Sequence, residues 1–278
     1  MGGDCVLSDK FEFLYSIKML RHEITELTAF MNESEFCYEL LAIKLDNLSK
    51  FVVSKENDKQ WNLWGEDKEI RMNSEELREA SSKAICTMEK LQSFSTFNNQ
   101  SDISEYMSTL CDSVKKETDA FGINDKANVV FIGSGAFPIS ALTIAKHTGA
   151  EIICLDIDEE AVEMGKNLAK LIGLESVTFT NKTVSELESI NDATHVIIAS
   201  LVKDKLEVLE DLKSVLPEDA QVILRYGNGL KSMFNYPLNQ DLSNDWHYIN
   251  VEQGKHFYDT VVLKKGLTNY VGKEIRYT

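Results

Sequence analysis

The sequence predicts an α/β protein in which an all-helical region, residues 1–122, precedes a doubly wound parallel sheet, residues 123–278. Two observations predict this fold. In the first region, apolar side chains recur every three or four residues, the period of a helix that buries one face. In the second region, short continuous apolar runs alternate with helical segments, a pattern typical of parallel strands covered on both faces. The content of 43% hydrophobic residues and only 3 prolines disfavours disorder as the main state.

Four helices are predicted in the N-terminal region from their apolar faces. The first carries Ile17, Leu20, Ile24 and Leu27, the second Phe36, Leu40 and Ile43, the third Leu77, Ala80, Ala84, Met88 and Leu91, and the fourth Tyr106, Leu110 and Val114. Asn73 or Ser74 is expected to cap the third helix, because the glutamates that follow favour the helix dipole. Ser101 or Asp102 is expected to open the fourth. Residues 61–65 interrupt the pattern and are interpreted as a packed turn.

The C-terminal region contains five apolar runs that predict parallel strands. These runs are residues 129–132, 151–155, 177–179, 195–199 and 221–224. Two later runs, 248–251 and 259–263, are predicted to add antiparallel edge strands. Ligands bind such sheets at the carboxyl ends of the strands. The helical region is therefore expected to form a lid over that edge, where it can shape a pocket and exclude water.

Charge and composition exclude several classes of protein. The chain has 45 acidic and 29 basic residues, a net charge of -16, and this disfavours a nucleic-acid binder, which needs a basic face. No apolar run is long enough to span a membrane, and no secretory signal is visible. The dispersed set of 5 cysteines fits reduced thiols, so a cytoplasmic location is expected. The scattered histidines predict no metal site.

A glycine-rich turn after the first predicted strand is a candidate nucleotide site. Gly133, Ser134, Gly135, Phe137 and Pro138 belong to it. Glycine lets a ligand approach the backbone, but the match to the dinucleotide pattern is incomplete because Pro138 replaces the third glycine. A tight turn without a ligand is the alternative.

An acidic pair follows the second predicted strand, about twenty residues further on, where an acid can accept both hydroxyls of a ribose. Asp156 takes that position and Ile157 follows it. Asp158 is either a second acid of this site or only the N-cap of the next helix. Both NAD and S-adenosylmethionine (SAM) fit this arrangement. The narrow loop and the negative charge of the protein favour SAM, a sulfonium cation without phosphates.

Three stretches together resemble the nicotianamine synthase family. They are F-I-G-S-G-A-F-P at 131–138, L-D-I-D at 155–158, and L-R-Y-G-N-G-L-K-S-M-F-N-Y-P at 224–237. Residues 183–187 and 235–237 are most similar to the bacterial branch, the histidine 2-aminobutanoyltransferases of staphylopine-type opine metallophore synthesis. The clear similarity covers about residues 128–264. The helical half resembles the family in layout and in fewer residues.

The resemblance implies a fold, a reaction and a cofactor. The sheet region would be a Rossmann-like class I SAM-dependent transferase domain. The enzyme would transfer the 3-amino-3-carboxypropyl (2-aminobutanoyl) group of SAM to the α-amine of D- or L-histidine and release 5'-methylthioadenosine. Its product would pass to a downstream opine dehydrogenase in metallophore biosynthesis, and the enzyme itself would hold no metal. A homodimer is also expected.

The resemblance also places a glutamate and a tyrosine of the helical half at the reactive centre. Glu89 and Tyr106 match them best. Glu89 would accept the proton of the attacking amine, because an ammonium cannot attack, and Tyr106 would hydrogen-bond the amine or the transferred group. A solvated surface glutamate and a packed core tyrosine are the alternatives.

Five further residues are candidates from their positions at or after the strand ends. Ser200 and Leu201 follow the fourth strand, where the methionine arm of SAM is expected, and Thr183 and Val184 are placed to contact the adenine. Arg225 suits the α-carboxylate of the acceptor, with an internal salt bridge as the alternative.

Tyr236 is expected to wall the acceptor site, with a packed aromatic as its alternative. Two other functions stay open for the whole chain. One is a small-molecule methyltransferase, and the other is a non-catalytic SAM-binding module.

Overall fold

The structure, a computed structural model, describes residues 2–31, 33–97, 105–240, 242, 245–251 and 256–265. The N-terminal half is helical, as predicted. Its elements are α1 (Gly2–Phe30), α2 (Glu35–Phe51), α3 (Lys55–Trp64), α4 (Lys68–Phe97) and α5 (Glu105–Ala120). Ser101 and Asp102, the expected start of the last helix, lie outside the described residues.

Two local predictions in this half are wrong. The expected turn at 61–65 is the end of helix α3, which Ser54 caps by accepting the N–H of Asn57. The expected cap of the long helix at Asn73 or Ser74 is also misplaced. Asp67 caps α4 instead by accepting the N–H groups of two residues in its first turn. Asn73 and Ser74 are buried inside that helix, and their side chains donate to carbonyls four residues earlier, so they satisfy themselves without ending it.

The C-terminal half forms a seven-stranded sheet among the described residues. Its elements are β1 (Asn128–Ile132), α6 (Ile139–Thr148), β2 (Glu151–Leu155), α7 (Glu159–Leu171), β3 (Val177–Thr180), β4 (His195–Ile198), α8 (Lys205–Val215), β5 (Gln221–Tyr226), β6 (His247–Asn250) and β7 (Asp259–Lys264). The strand order is β3-β2-β1-β4-β5-β7-β6. Strands β1 to β5 run parallel, while β7 pairs antiparallel with both β5 and β6. These pairings confirm the predicted doubly wound sheet and its antiparallel edge.

The order of the strands fixes where a ligand can bind. The chain passes from β1 outward to β2 and β3 and then returns to place β4 on the other side of β1, so the order reverses between β1 and β4. A crevice opens at such a reversal, outside the carboxyl ends of the strands. The loops after β1 and β4 meet there.

The helical half packs onto this edge of the sheet. Its core, formed by α1, α2 and α4, also contains Leu230, Met233, Phe234, Phe257 and Tyr258 from the C-terminal half. Helix α4 additionally contacts α7, and α5 packs against α6. Buried apolar surface is therefore shared between the two halves at the carboxyl edge. The division of the chain at residue 122 stays a prediction.

Candidate functional site

The loop after β1 is built on two glycines in left-handed conformations. Gly133 and Gly135 have φ angles of 78° and 71°, which residues with a Cβ adopt only with strain. The Gly133 N–H donates to the carbonyl of Leu155 at 2.8 Å, and this bond ties the loop to the end of β2. Space is limited as well, because a Cβ on Gly133 would lie 2.5 Å from the Val202 Cγ2. The loop therefore requires glycine at both positions.

Asp156 joins this loop to the end of β2. Its Oδ2 accepts the Gly135 N–H at 2.8 Å, and its Oδ1 accepts the Asp158 N–H at 3.1 Å. A carboxylate has about four acceptor positions, so two stay available for ribose hydroxyls. The neighbouring Ile157 side chain is 98% exposed beside this carboxylate. Asp158 accepts the Glu160 N–H and caps α7, which confirms the capping interpretation.

Glu89 reaches the glycine loop from helix α4 of the lid. A Cβ on Gly135 would lie 2.1 Å from its Oε2, so the carboxylate rests directly on that glycine. Its oxygens accept the N–H groups of Ala136 and Phe137. Burial, together with the nearby Asp156 carboxylate, raises the pKa of Glu89 to about 8. Glu89 is therefore not a solvated surface glutamate, and it has the basicity that a general base needs near neutral pH.

Two further contacts hold α4 against this loop. The Ser93 hydroxyl donates to the Ala136 carbonyl at 2.5 Å. Lys90 forms ion pairs with Asp158 at 2.8 Å and with Glu160 at 2.5 Å, at the start of α7. These bonds, to the glycine loop and to the start of α7, hold the part of α4 that carries the Glu89 carboxylate.

A cleft between the lid and the sheet edge encloses about 510 Å³ including its open mouth, within the range of small-molecule sites. Seven predicted site residues line it: Glu89, Gly133, Ser134, Phe137, Ser200, Leu201 and Arg225. Leu110, Phe131, Phe257 and Tyr258 add apolar and aromatic walls. The structure therefore brings together seven of the fifteen residues that the sequence singled out, although these seven come from four different segments: α4, the loop after β1, the loop after β4, and β5.

Arg225 lines the cleft, but it forms an internal salt bridge, the arrangement expected if it does not bind the acceptor's carboxylate. Its Nε and Nη2 donate to the Glu117 Oε2 at 2.9 and 2.5 Å, and its Nη1 donates to the Ser140 hydroxyl at 3.2 Å. The other Glu117 oxygen accepts from the Thr260 hydroxyl at 2.8 Å. Both charged side chains are buried. Binding of a substrate carboxylate by Arg225 stays a prediction, since two of its donors already serve Glu117.

For Tyr236 the structure favours the alternative of a packed aromatic residue. Its hydroxyl donates to Glu79 at 2.9 Å, and its ring lies 5.1 Å from the Arg78 guanidinium carbon. The residue is buried and is not among those that line the cleft. It packs against helix α4 because the loop after β5 turns its side chain toward the lid, so the packed-aromatic alternative describes it better than an acceptor wall.

Three other predicted residues, Thr183, Val184 and Pro138, also lie apart from the cleft lining. Thr183 is exposed, and its hydroxyl donates to Glu186 within a short capped turn, while Val184 is buried in the core beneath the sheet. Pro138 stands as the N-cap of α6, one residue before the helix. Tyr106 belongs to helix α5, but its side chain lies outside the described residues. The roles of these residues stay predictions.

Two charged residues near the cleft were not singled out from the sequence. Glu117 shares the apolar face of α5 with Leu110 and Val114, and an acid on such a face is a usable signal of a buried partner. Lys205, at the start of α8, is almost fully buried, and no periodic pattern marks it.

The described residues contain no group of three or more side chains arranged to hold a metal ion. None of the described helices combines the length and apolarity that crossing a bilayer demands.

Comparisons with known proteins match nearly the whole chain. A family model described as nicotianamine synthase protein matches residues 17–268. An L-histidine 2-aminobutanoyltransferase of Pseudomonas aeruginosa is 37% identical over 253 residues, which cover 91% of this chain and 96% of that protein. A protein of the same name from Yersinia pestis is 27% identical over 262 residues, covering 92% and 96%.

Solved structures show the same architecture. A crystal structure of MtNAS in complex with MTA and tNA has a TM-score of 0.75 at 15% identity, covering 91% of this chain and 97% of that one. A glutamate-to-glutamine mutant of MtNAS also gives a TM-score of 0.75, at 14% identity, covering 91% and 98%. These likenesses confirm the predicted fold class, a helical half followed by an α/β sheet.

Proposed function

This chain belongs to the nicotianamine synthase family, and on that premise we propose that it transfers the 3-amino-3-carboxypropyl group of SAM to the α-amine of L-histidine. It is a SAM-dependent aminocarboxypropyl transferase, and SAM is its co-substrate. The names of its relatives support histidine as the acceptor and the L form in particular.

The observation that carries the proposal is the place of the Glu89 carboxylate. It lies on the loop that follows β1, at the crevice where a doubly wound sheet binds its cofactor, and it lines the cleft beneath the lid. A methyl transferase and an aminocarboxypropyl transferase use the same sulfonium, so the position of the nucleophile decides which carbon reacts. We infer that an amine held beside Glu89 approaches SAM from the lid side, where the methylene carbon of the aminocarboxypropyl group would face it.

The reaction then needs one proton acceptor and no other reagent. The amine lone pair attacks the methylene carbon next to sulfur, and a carbon–nitrogen bond forms while the carbon–sulfur bond breaks. The bonding pair leaves with sulfur, which becomes the neutral thioether of methylthioadenosine. The surplus proton of the amine passes to Glu89, whose raised pKa of about 8 makes it a stronger base than an ordinary glutamate.

The walls of the cleft suit the proposed acceptor. Phe131, Phe137, Phe257 and Tyr258 give it aromatic surface that can pack against an imidazole ring. Asp156 is available for the ribose of SAM, and Ser200 and Leu201 line the cleft where its methionine arm is expected. The product would be the substrate of an opine dehydrogenase in a staphylopine-like metallophore pathway. A homodimer and a cytoplasmic location stay predictions.

Product analysis tests this function directly. The purified protein is incubated with SAM and either L-histidine, D-histidine or a panel of other amino acids, and the products are identified by mass spectrometry. We expect methylthioadenosine and a singly aminocarboxypropylated L-histidine. S-adenosylhomocysteine in place of methylthioadenosine would indicate methyl transfer. Tight SAM binding without turnover over the whole panel would indicate a binding module.

A further inference from the structure

Lys205 is a buried lysine with no role in the reaction described above. Only 2% of its surface is exposed, and its Nζ donates to the Ser200 carbonyl at 2.8 Å and to the Val202 carbonyl. Within the described part of the chain, no carboxylate lies at ion-pair distance from this ammonium, and the neighbouring charge is Arg78. Burial, with the Arg78 charge, lowers the pKa of Lys205 to about 7. A charge in this place weakens the fold, whereas a methionine of similar volume would not.

Lys205 bonds two carbonyls, of Ser200 and Val202, and the first also accepts the Tyr236 N–H at 3.1 Å; their orientation determines where the neighbouring N–H groups point. In a planar trans peptide the C=O and the following N–H are directed oppositely. The N–H groups of Leu201 and Lys203 are therefore directed away from Lys205. Neither donates a hydrogen bond to any other part of the chain that the structure describes.

The side of the loop opposite Lys205 is the cleft side. Ser200 and Leu201 line the cleft, while Lys205 does not. We propose that Lys205 is a positioning residue that holds the loop after β4 so that the N–H groups of Leu201 and Lys203 bind an α-carboxylate in the cleft. Paired backbone N–H groups in a turn form an anion-binding concavity, and the exposed Lys203 side chain adds a positive charge to the same loop.

This inference rests on the proposed function, in which two α-carboxylates enter the cleft. One is the methionine end of SAM and the other belongs to the amino-acid acceptor, and the loop binds the same chemical group in either case. Methylthioadenosine keeps the adenine, ribose and sulfur of SAM but has no carboxylate. It is therefore the probe that separates carboxylate binding from general cofactor binding.

The test uses Lys205→Met, with Lys205→Arg as the variant that retains a donor and Lys265→Met as the matched control. Lys265 also donates to a backbone carbonyl, that of Leu216, but is not among the residues that line the cleft. Dissociation constants for SAM and for methylthioadenosine are measured by calorimetry, KM for L-histidine is measured from product formation, and thermal melts verify folding.

If the loop binds the carboxylate of SAM, Lys205→Met weakens SAM binding about tenfold or more and leaves methylthioadenosine binding within about twofold. If it binds the acceptor, affinity for SAM is kept and KM for L-histidine rises by a similar factor. Lys205→Arg should recover most of either loss, and Lys265→Met should change neither.

Equal weakening of SAM and methylthioadenosine in folded protein, or no change in any of the three constants, would overturn the inference. The two nucleotide constants need no turnover, so they can be measured even if the wild-type protein forms no aminocarboxypropyl product. A loss of preference for SAM over methylthioadenosine would then support carboxylate binding while the proposed function fails.

Discussion

Replacing Glu89 by glutamine should stabilise the protein at high pH while it slows the transfer reaction. Glutamine has the same shape but carries no charge, so it avoids the cost of ionising a carboxylate beside Asp156. The pKa of Glu89 is raised from 4.5 to about 8 in the folded state. The folded protein thus binds a proton that the unfolded chain has released between these pH values, and its stability falls as pH rises across that window.

The magnitude follows from the size of this shift. One pKa unit corresponds to about 1.4 kcal/mol, so the shift sets an upper limit of about 5 kcal/mol, which solvent at the mouth of the cleft reduces to about 2 kcal/mol. Glu89→Gln should therefore match the wild type in the free energy of unfolding near pH 4.5 and exceed it by about 2 kcal/mol at pH 9. Urea unfolding at both pH values measures the difference.

The matched control is Glu75→Gln, since Glu75 is exposed on the same helix. It should change the free energy of unfolding by less than about 0.5 kcal/mol at either pH. Transfer by Glu89→Gln should be slower by about 10² or more, because the amine loses its proton acceptor. A Glu89→Gln variant that is less stable than the wild type at pH 9, or equally stable at both pH values, would refute the burial argument.

Gly135→Ala should lower the free energy of unfolding by about 1–3 kcal/mol and abolish transfer, because its Cβ displaces the glutamate carboxylate of α4. Gly173→Ala, with a similar positive φ but open space around it, should lose stability and keep activity. Arg225→Leu and Glu117→Leu should each cost about 3–5 kcal/mol in urea unfolding, and the double variant should cost less than their sum; strict additivity would contradict a coupled buried pair. Asp156→Asn should weaken SAM and methylthioadenosine about equally in calorimetry, because both carry the ribose; a loss confined to SAM would place the ribose elsewhere.

Local patterns predicted the sheet and the loop at its centre. The apolar runs beginning near residues 129, 151, 177, 195 and 221 became β1 to β5, because a strand buried on both faces needs continuous apolar sequence and little else. Gly133 and Gly135 take positive φ angles, and Asp158 caps the next helix. Each of these outcomes depends on a residue and its immediate neighbours in the chain.

Local patterns gave wrong boundaries for two helices, the start of α4 and the end of α3. Asp67 caps α4 although Asn73 and Ser74 offered the same chemistry, and the choice depends on how far the apolar face of the helix extends against the core. Residues 61–65 are interpreted as a turn from the sequence because they interrupt the apolar pattern of the neighbouring helices, yet the i, i+3 spacing of Trp61 and Trp64 is helical and packs both against the shared core. Tertiary burial decided these boundaries.

The order of the elements and the chemistry at each strand end follow from local sequence, because hydrophobic period, glycine and capping act over a few residues. The pairing of the charged groups depends on the packing of the folded chain. Glu89 reaches Gly135, Arg225 pairs with Glu117, and Lys205 holds the Ser200 carbonyl. The first two contacts join segments 46 and 108 residues apart in the sequence. Only the packing of the lid onto the sheet brings such distant charges together, and their burial is what makes those charges costly or useful.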